Sequence, residues 1–317
     1  MIPSLIRSVH EQIYKRNVRL MGNQFEISVV HEDADQANHF IDVAINEVKR
    51  IEKLLTTFDE SSQTNEINRK AGIAPVKVDQ EVFNLIDRAI RVSELTQGAF
   101  DLTYGSLDKK FWNFDTTMTR LPDAALARES VKLINYKNIH LNHDDHTVFL
   151  VKPNMRIGFG GIGKGYAAEC AKRILQIQGV SAGIINASGD LCTWGTPPGG
   201  TTWTIGIADP HTRLGVFSEM ELNDMSIATS GDYEKYVIID GKRYSHTIDP
   251  KTGFPVRGIS SVSIISPNAE LCDALTTPVM VMGVSKGLHM LNQMKDIGCI
   301  IVDENHQLFT SNNIKLK

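Results

Sequence analysis

Polar and apolar residues alternate from Gln24 to Val30, the two-residue period of a half-buried strand. From Asp35 the period lengthens. Ala37, Ile41, Ala44, Val48, Ile51 and Leu55 fall three or four apart and make one apolar stripe, which predicts a long helix opened by Asp35. A second stripe (Val82, Leu85, Ile86, Ala89 and Ile90) follows Asp79, and Gly98 is placed to end it. The short apolar run Thr147 to Val151 reads as a strand, and Tyr166 to Ile177 as a third helix closed by Gly179. Beyond it strands dominate: Ala182 to Asn186, Thr202 to Ile207 and Ser260 to Ile265. Tyr233 to Ile239 and Lys242 to Thr247 flank Asp240-Gly241, a strong two-residue hairpin signal. Cys299 to Val302 and Gln307 to Thr310 predict another hairpin. The chain shows no internal repeat, low-complexity segment or obvious linker. Helices early and hairpins late predict an α+β fold of mixed, largely antiparallel sheets with packed helices, in one domain over 1–317.

Composition narrows the function without naming it. With 317 residues, 42% hydrophobic and 22% charged, the chain has the make-up of an ordinary soluble protein with a substantial core. A net charge of -4 argues against a general nucleic-acid binder, which carries a basic surface. Cys170, Cys192, Cys272 and Cys299 show no C-x-x-C spacing and sit in apolar or helix-like stretches, favouring buried thiols over disulfides or zinc. No segment reaches the apolar length of a transmembrane helix, and the start has neither a signal-peptide core nor an early cysteine for lipid attachment. The expectation as written is cytoplasmic. A chain trimmed of an export signal reads the same way.

Candidate chemistry begins at Gly158-Phe159-Gly160-Gly161-Ile162-Gly163-Lys164-Gly165. Gly158, Gly160 and Gly163 satisfy G-x-G-x-x-G, and Gly158 to Lys164 fits a P-loop until Gly165 replaces its Ser or Thr. Glycines before a helix suit a phosphate-bearing ligand, because backbone N–H groups approach closely there. Their mid-chain position, followed mainly by strands, is wrong for a Rossmann domain, and Gly165 has no hydroxyl for magnesium. Tight strand-to-helix packing explains an isolated glycine run equally well. Other polar clusters stand nearby: Phe100 to Gly105, Asn186 to Asp190, the small-residue turn Ala228 to Tyr233, and Tyr244 to Gly253. His246 heads the last of these, at the end of a hairpin strand and before Asp249-Pro250, so its ring should be oriented and partly covered. His31, His39, His289 and His306 lack such a setting and read as surface or packing residues. Asp273 and Thr277 lie four apart, on one face of a helical turn. Asp273 reads either as an N-cap at a helix start or, with Thr277, as oxygen ligands of a hard cation.

In order along the chain, these pieces resemble the ApbE-type flavin transferases, the FAD:protein FMN transferases. The matching pieces are Met21-Gly22, Phe100-Asp101-x-Thr103, the Gly160 to Gly165 loop, Gly189-Asp190, Thr229-Ser230-Gly231-Asp232-Tyr233, His246-x-Ile248-Asp249-Pro250-x-Thr252-Gly253 and Asp273-Ala274-Leu275-x-Thr277. The resemblance implies an α+β fold of two lobes with FAD in the cleft between them. It implies magnesium, and transfer of the FMN half of FAD to a Ser or Thr hydroxyl of an acceptor flavoprotein subunit, with AMP released. It further implies magnesium on Asp273, Thr277 and a carbonyl near Gly161, and His246 as the base. Met21, Asp101, Thr103, Gly160, Lys164, Ser230, Gly231 and Asp232 are the implied FAD contacts, with the Lys164 ammonium free for a phosphate oxygen. The Gly160 to Gly165 loop and the Ser230 to Tyr233 turn are then expected to approach each other. Departures from the family pattern are Gly158, where Asp is frequent, Ser188 in place of glycine, and Pro278, which is expected to kink or delay the metal-bearing helix. A magnesium-dependent FAD pyrophosphatase and a non-catalytic flavin-binding protein are the alternatives, since water and a protein hydroxyl can use the same metal and base.

Overall fold

The computed structural model describes residues 10–108, 112, 118–208, 216–233 and 235–314. It opens on a hairpin: β1 (Gln12–Leu20) pairs antiparallel with β2 (Asn23–His31). Met21 and Gly22 form its two-residue turn with φ angles of 51° and 75°. They therefore sit between two strands, not before the first one. β1 escapes the alternation test because Arg16 interrupts its inward face, on which Tyr14, Val18 and Leu20 pack against the core. α1 (Ala34–Leu55) buries the whole predicted stripe, but its cap is Asp33, which accepts the Gln36 N–H at 2.8 Å. Asp35 lies in the first turn. α2 (Gln63–Arg69) and β3 (Val76–Lys77) follow. α3 (Gln80–Leu95) starts after Asp79 as expected, and Gly98 closes it by donating its N–H to the Ser93 carbonyl at 2.8 Å.

A 3-10 turn at Leu102–Ser106 and α4 (Ala124–Val131) lead to β4 (Ile139–Asn142) and β5 (Thr147–Leu150). β3, β5 and β4 form a small antiparallel sheet. α5 (Gly163–Ile177) starts inside the glycine run, three residues before its apolar pattern begins. Then come β6 (Gly183–Ala187), β7 (Asp190–Trp194), β8 (Trp203–Ala208), β9 (Val216–Leu222) and β10 (Ser226–Gly231). The hairpin predicted at Asp240-Gly241 is β11 (Tyr236–Ile239) with β12 (Lys242–Ser245). β13 (Ile259–Ser266), α6 (Ala269–Met282), α7 (Val284–Leu291), β14 (Gly298–Asp303) and β15 (Leu308–Thr310) complete the chain.

The main sheet runs β1-β2-β6-β7-β10-β13-β14-β15, antiparallel at every pairing. This is the expected α+β architecture. β13 is buried at all eight positions because both faces of the sheet are covered. Val262 and Ile264 join the large cluster with Ala171, Leu275 and Val279 of α5 and α6. Ile265 belongs to another, with Ile207 and Leu222 of the β8–β9 hairpin. A smaller cluster around Trp112, Ala127, Val237 and Ile248 joins α4 to the β11–β12 hairpin. All four cysteines are buried and unpaired, as their sequence setting indicates. Among the described residues no helix is long and apolar enough to cross a membrane.

Candidate functional site

The site forms where α5 begins against α6. A Cβ added to Gly165 would lie 2.2 Å from the Ala269 carbonyl oxygen, so only glycine lets the two helices touch here. That is the physical reason no P-loop Ser or Thr stands at this position. The cap residue of α5, Ile162, offers no side-chain oxygen. The Gly165 N–H instead donates to Asp273 Oδ2 at 2.9 Å. α6 starts at Ala269 with Asn268 as its own cap, so Asp273 lies in its second turn and caps a neighbour. This corrects the N-cap expectation. α6 also neither starts late nor stops at Pro278, but runs on to Met282. Proline removes the N–H that the Ala274 carbonyl would accept.

Both expected turns reach adjacent residues of α6. At Gly161 an added Cβ would stand 3.8 Å from Thr277 Oγ1 and 3.5 Å from the Phe100 ring. At Gly160 it would meet nothing within 4 Å. Ser230 Oγ lies 2.8 Å from Thr276 Oγ1. Thr276 gives its one proton to the Asp273 carbonyl at 2.9 Å, so Ser230 is the donor. Ser230 and Gly231 end strand β10 and are not part of a turn. Strand hydroxyls such as Thr229, 2.8 Å from Ser263 Oγ, give this segment its turn-like look in the sequence. The Asp232 N–H donates to the Ser260 carbonyl at 2.9 Å, and its carboxylate pairs with Arg243 at 3.2 Å. The Met21 methyl reaches the loop, 3.6 Å from a Cβ position on Gly163.

The expected free ammonium of Lys164 is not free. It pairs with Asp190 at the start of β7 and stands 3.7 Å from Asp273 Oδ1. The Asp190 and Asp273 side chains are only 4% and 5% exposed, that of Lys164 26%. Asp101 and Thr103 likewise turn inward. Asp101 accepts the Thr103 N–H and hydroxyl at 2.8 and 2.6 Å, and the Tyr136 N–H at 2.8 Å. Burial pushes Asp101 above the usual carboxylate value, while these donors pull it back. Thr103 Oγ1 also accepts the Asn135 N–H at 2.8 Å. Asp101 caps the 3-10 turn, and Thr103 locks it from within.

That turn connects the glycine run to His246. Gly158 donates its N–H to the Leu102 carbonyl at 3.1 Å. Two residues on, the Tyr104 hydroxyl donates to the His246 carbonyl at 3.4 Å and accepts the Ile248 N–H at 3.3 Å. Burial pushes the Tyr104 pKa up to about 12, so the phenol stays protonated. His246 is part-covered, as expected, with Nδ1 3.1 Å from the Lys235 carbonyl. A carbonyl only accepts, so the proton sits on Nδ1 and Nε2 keeps its lone pair. Burial lowers the histidine pKa, against the pull of that hydrogen bond. A tight Asp249-to-Gly253 turn follows it. Gly253 has φ 75°, and an added Cβ would lie 1.9 Å from the Ala127 carbonyl of α4.

Asp273, Thr277 and the Gly161 carbonyl offer a carboxylate, a hydroxyl and a carbonyl, an all-oxygen set that suits a hard divalent cation. By donor chemistry these residues fit magnesium. A different group, Glu47, Glu81 and Cys170, has its ligand atoms within 4.8 Å of one another. Arg50 already bridges both glutamates at 2.7 and 2.6 Å, and burial pushes the Cys170 thiol up to about 11. That group is an ion-pair network. Tyr104 and Thr276 are not singled out by the sequence, and Asp190 stands out only within the Gly189-Asp190 match. Asp190 and Tyr104 lay in noted clusters, but nothing in the sequence gave their partners.

The ApbE family model matches residues 21–301. The FAD:protein FMN transferase of Klebsiella pneumoniae (strain 342) is 33% identical over 308 residues, 96% of this chain and 94% of that protein. Its counterpart in Treponema pallidum (strain Nichols) is 28% identical, across 91% of this chain and 84% of that one. The crystal structure of the ApbE protein of Thermotoga maritima matches with a TM-score of 0.86 at 32% identity, covering 95% of this chain and 97% of that one. The apo form of the Pseudomonas stutzeri flavinyl transferase ApbE matches at 0.83 with 25% identity, covering 97% of each chain.

Proposed function

The chain belongs to the ApbE family, and from that membership we propose that it is an FAD:protein FMN transferase that labels a Ser or Thr hydroxyl of an acceptor flavoprotein subunit. One observation carries the assignment of the site: the glycine loop and the end of β10 converge on Thr277 and Thr276 of α6, beside the buried Asp273. Relatives with this activity align along nearly the whole chain.

In this reading FAD lies against Met21, Gly160 and Ser230, with its pyrophosphate near the start of α5. Magnesium held by Asp273, Thr277 and the Gly161 carbonyl supplies charge neutralisation at the phosphates when bound. Nε2 of His246 takes the proton of the acceptor hydroxyl. The hydroxyl oxygen then bonds to the FMN phosphorus, the bond from that phosphorus to the bridging oxygen breaks, and AMP leaves with the electron pair. Lys164 keeps the buried Asp190 neutralised.

Incubating the protein with FAD, magnesium and a candidate acceptor tests the proposal. Flavin fluorescence that stays on the denatured acceptor, with one AMP per label, is the expected result. AMP and free FMN from a reaction that labels no acceptor replaces transfer with hydrolysis.

A further inference from the structure

Two buried carboxylates share one ammonium at the start of α5. Asp190 takes Lys164 directly, while Asp273 Oδ1 faces the same ammonium at 3.7 Å. The other oxygen of Asp273, Oδ2, is engaged by the Gly165 N–H at 2.9 Å. The less engaged oxygen, Oδ1, is the one Lys164 already faces. We infer that Lys164, held by Asp190, is the resident counter-cation of Asp273 and competes directly with the divalent cation for that oxygen. This rests on Asp273 being a metal ligand, as proposed above.

The physical argument starts from burial. A carboxylate this enclosed is costly without a positive partner, so a metal-free fold needs a charge near Asp273. Lys164 supplies it from the first turn of α5, next to the glycine whose N–H holds Oδ2. Two cations drawn to one partly dehydrated carboxylate oxygen repel each other strongly. Asp190 keeps the ammonium from closing fully on Asp273 and so leaves the oxygen reachable. Metal affinity then depends on where the ammonium is held. Asp190 is in this sense a positioning residue, acting on the metal site only through Lys164.

The test uses FAD-free protein and Mn2+ alone as the probe, with binding read by calorimetry and by the electron paramagnetic resonance of free Mn2+. Replacing Lys164→Met and Asp190→Asn together removes one charge of each sign, so the local net charge is unchanged. Direct competition predicts Mn2+ binding about tenfold tighter than in the parent protein. Affinity equal to the parent would mean that net charge alone governs the site, and would overturn the inference. Asp190→Asn alone preserves side-chain shape and can refute the inference even if the double variant does not fold. It releases the ammonium toward Asp273, so Mn2+ binding should weaken by about tenfold. Unchanged or tighter binding contradicts the inference. Asp273→Asn serves as the reference and should abolish binding. If it binds Mn2+ like the parent protein, the assignment of Asp273 to the metal fails instead of the competition.

Discussion

At His246 one carbonyl tells the two ring nitrogens apart. The Lys235 carbonyl fixes the proton on Nδ1, and Nε2 keeps the lone pair that the proposed base role needs. His246→Ala should lower turnover by about 10²–10⁴-fold, the usual worth of positioned proton transfer, with FAD affinity little changed. Single-turnover kinetics at saturating FAD check this, and a normal rate would remove the base role. Burial holds the histidine below its ordinary value of 6.5, and only the neutral ring can accept a proton. Turnover should therefore fall with pH on an acid limb whose midpoint lies below 6.5. The same shift means that the unfolded chain binds a proton the folded chain resists. Stability should accordingly drop as pH falls below about 6.5 towards the folded value, with no contribution above it. The setting of His246 was legible in the sequence, because the hairpin before it and the Asp-Pro turn after it are local signals. The pairing of Lys164 with Asp190 was not, since the partners lie on α5 and β7 and only the packed sheet joins them.

Among the elements, the contact of α5 with α6 decides the shape of the site. Gly165→Ala places a methyl 2.2 Å from the Ala269 carbonyl and 2.7 Å from Asp273 Cβ, so the helices must move apart. Overpacking of this kind costs about 1–3 kcal/mol. Gly160→Ala meets open space and should stay within about 0.5 kcal/mol of the parent. Denaturant midpoints of the two variants make the comparison, and equal loss at both positions would contradict the close contact. Elements with strong periodicity were legible: the α1 and α3 stripes and the β11–β12 hairpin stand where their patterns put them. The beginning of α5 was hidden because glycines carry no periodicity. β10 looked like a turn because small hydroxyl residues fill it, and β1 was missed because Arg16 interrupts its inward face of Tyr14, Val18 and Leu20.

Over the whole molecule, one large cluster spans the main sheet and its helices, while a small one secures the β11–β12 hairpin to α4. Opening free energies follow buried contact, so amides of β13 should exchange slowest and those of β11 and β12 markedly faster. FAD binding should slow exchange around His246, just beyond β12. Hydrogen exchange followed by mass spectrometry reads both, and a hairpin as protected as β13 would show a single cooperative unit. The sequence by itself determined the α+β class, the long helices and the order of the polar clusters, because side-chain period, turn residues and caps act over a few neighbouring positions. Only the tertiary structure decided that Asp273 caps α5 from inside α6, that Ser230 meets Thr276, and that Tyr104 holds the backbone at His246. Each of those contacts joins residues 40 or more positions apart, 108, 46 and 142 respectively. Their geometry comes from sheet order and helix packing, which no local pattern encodes.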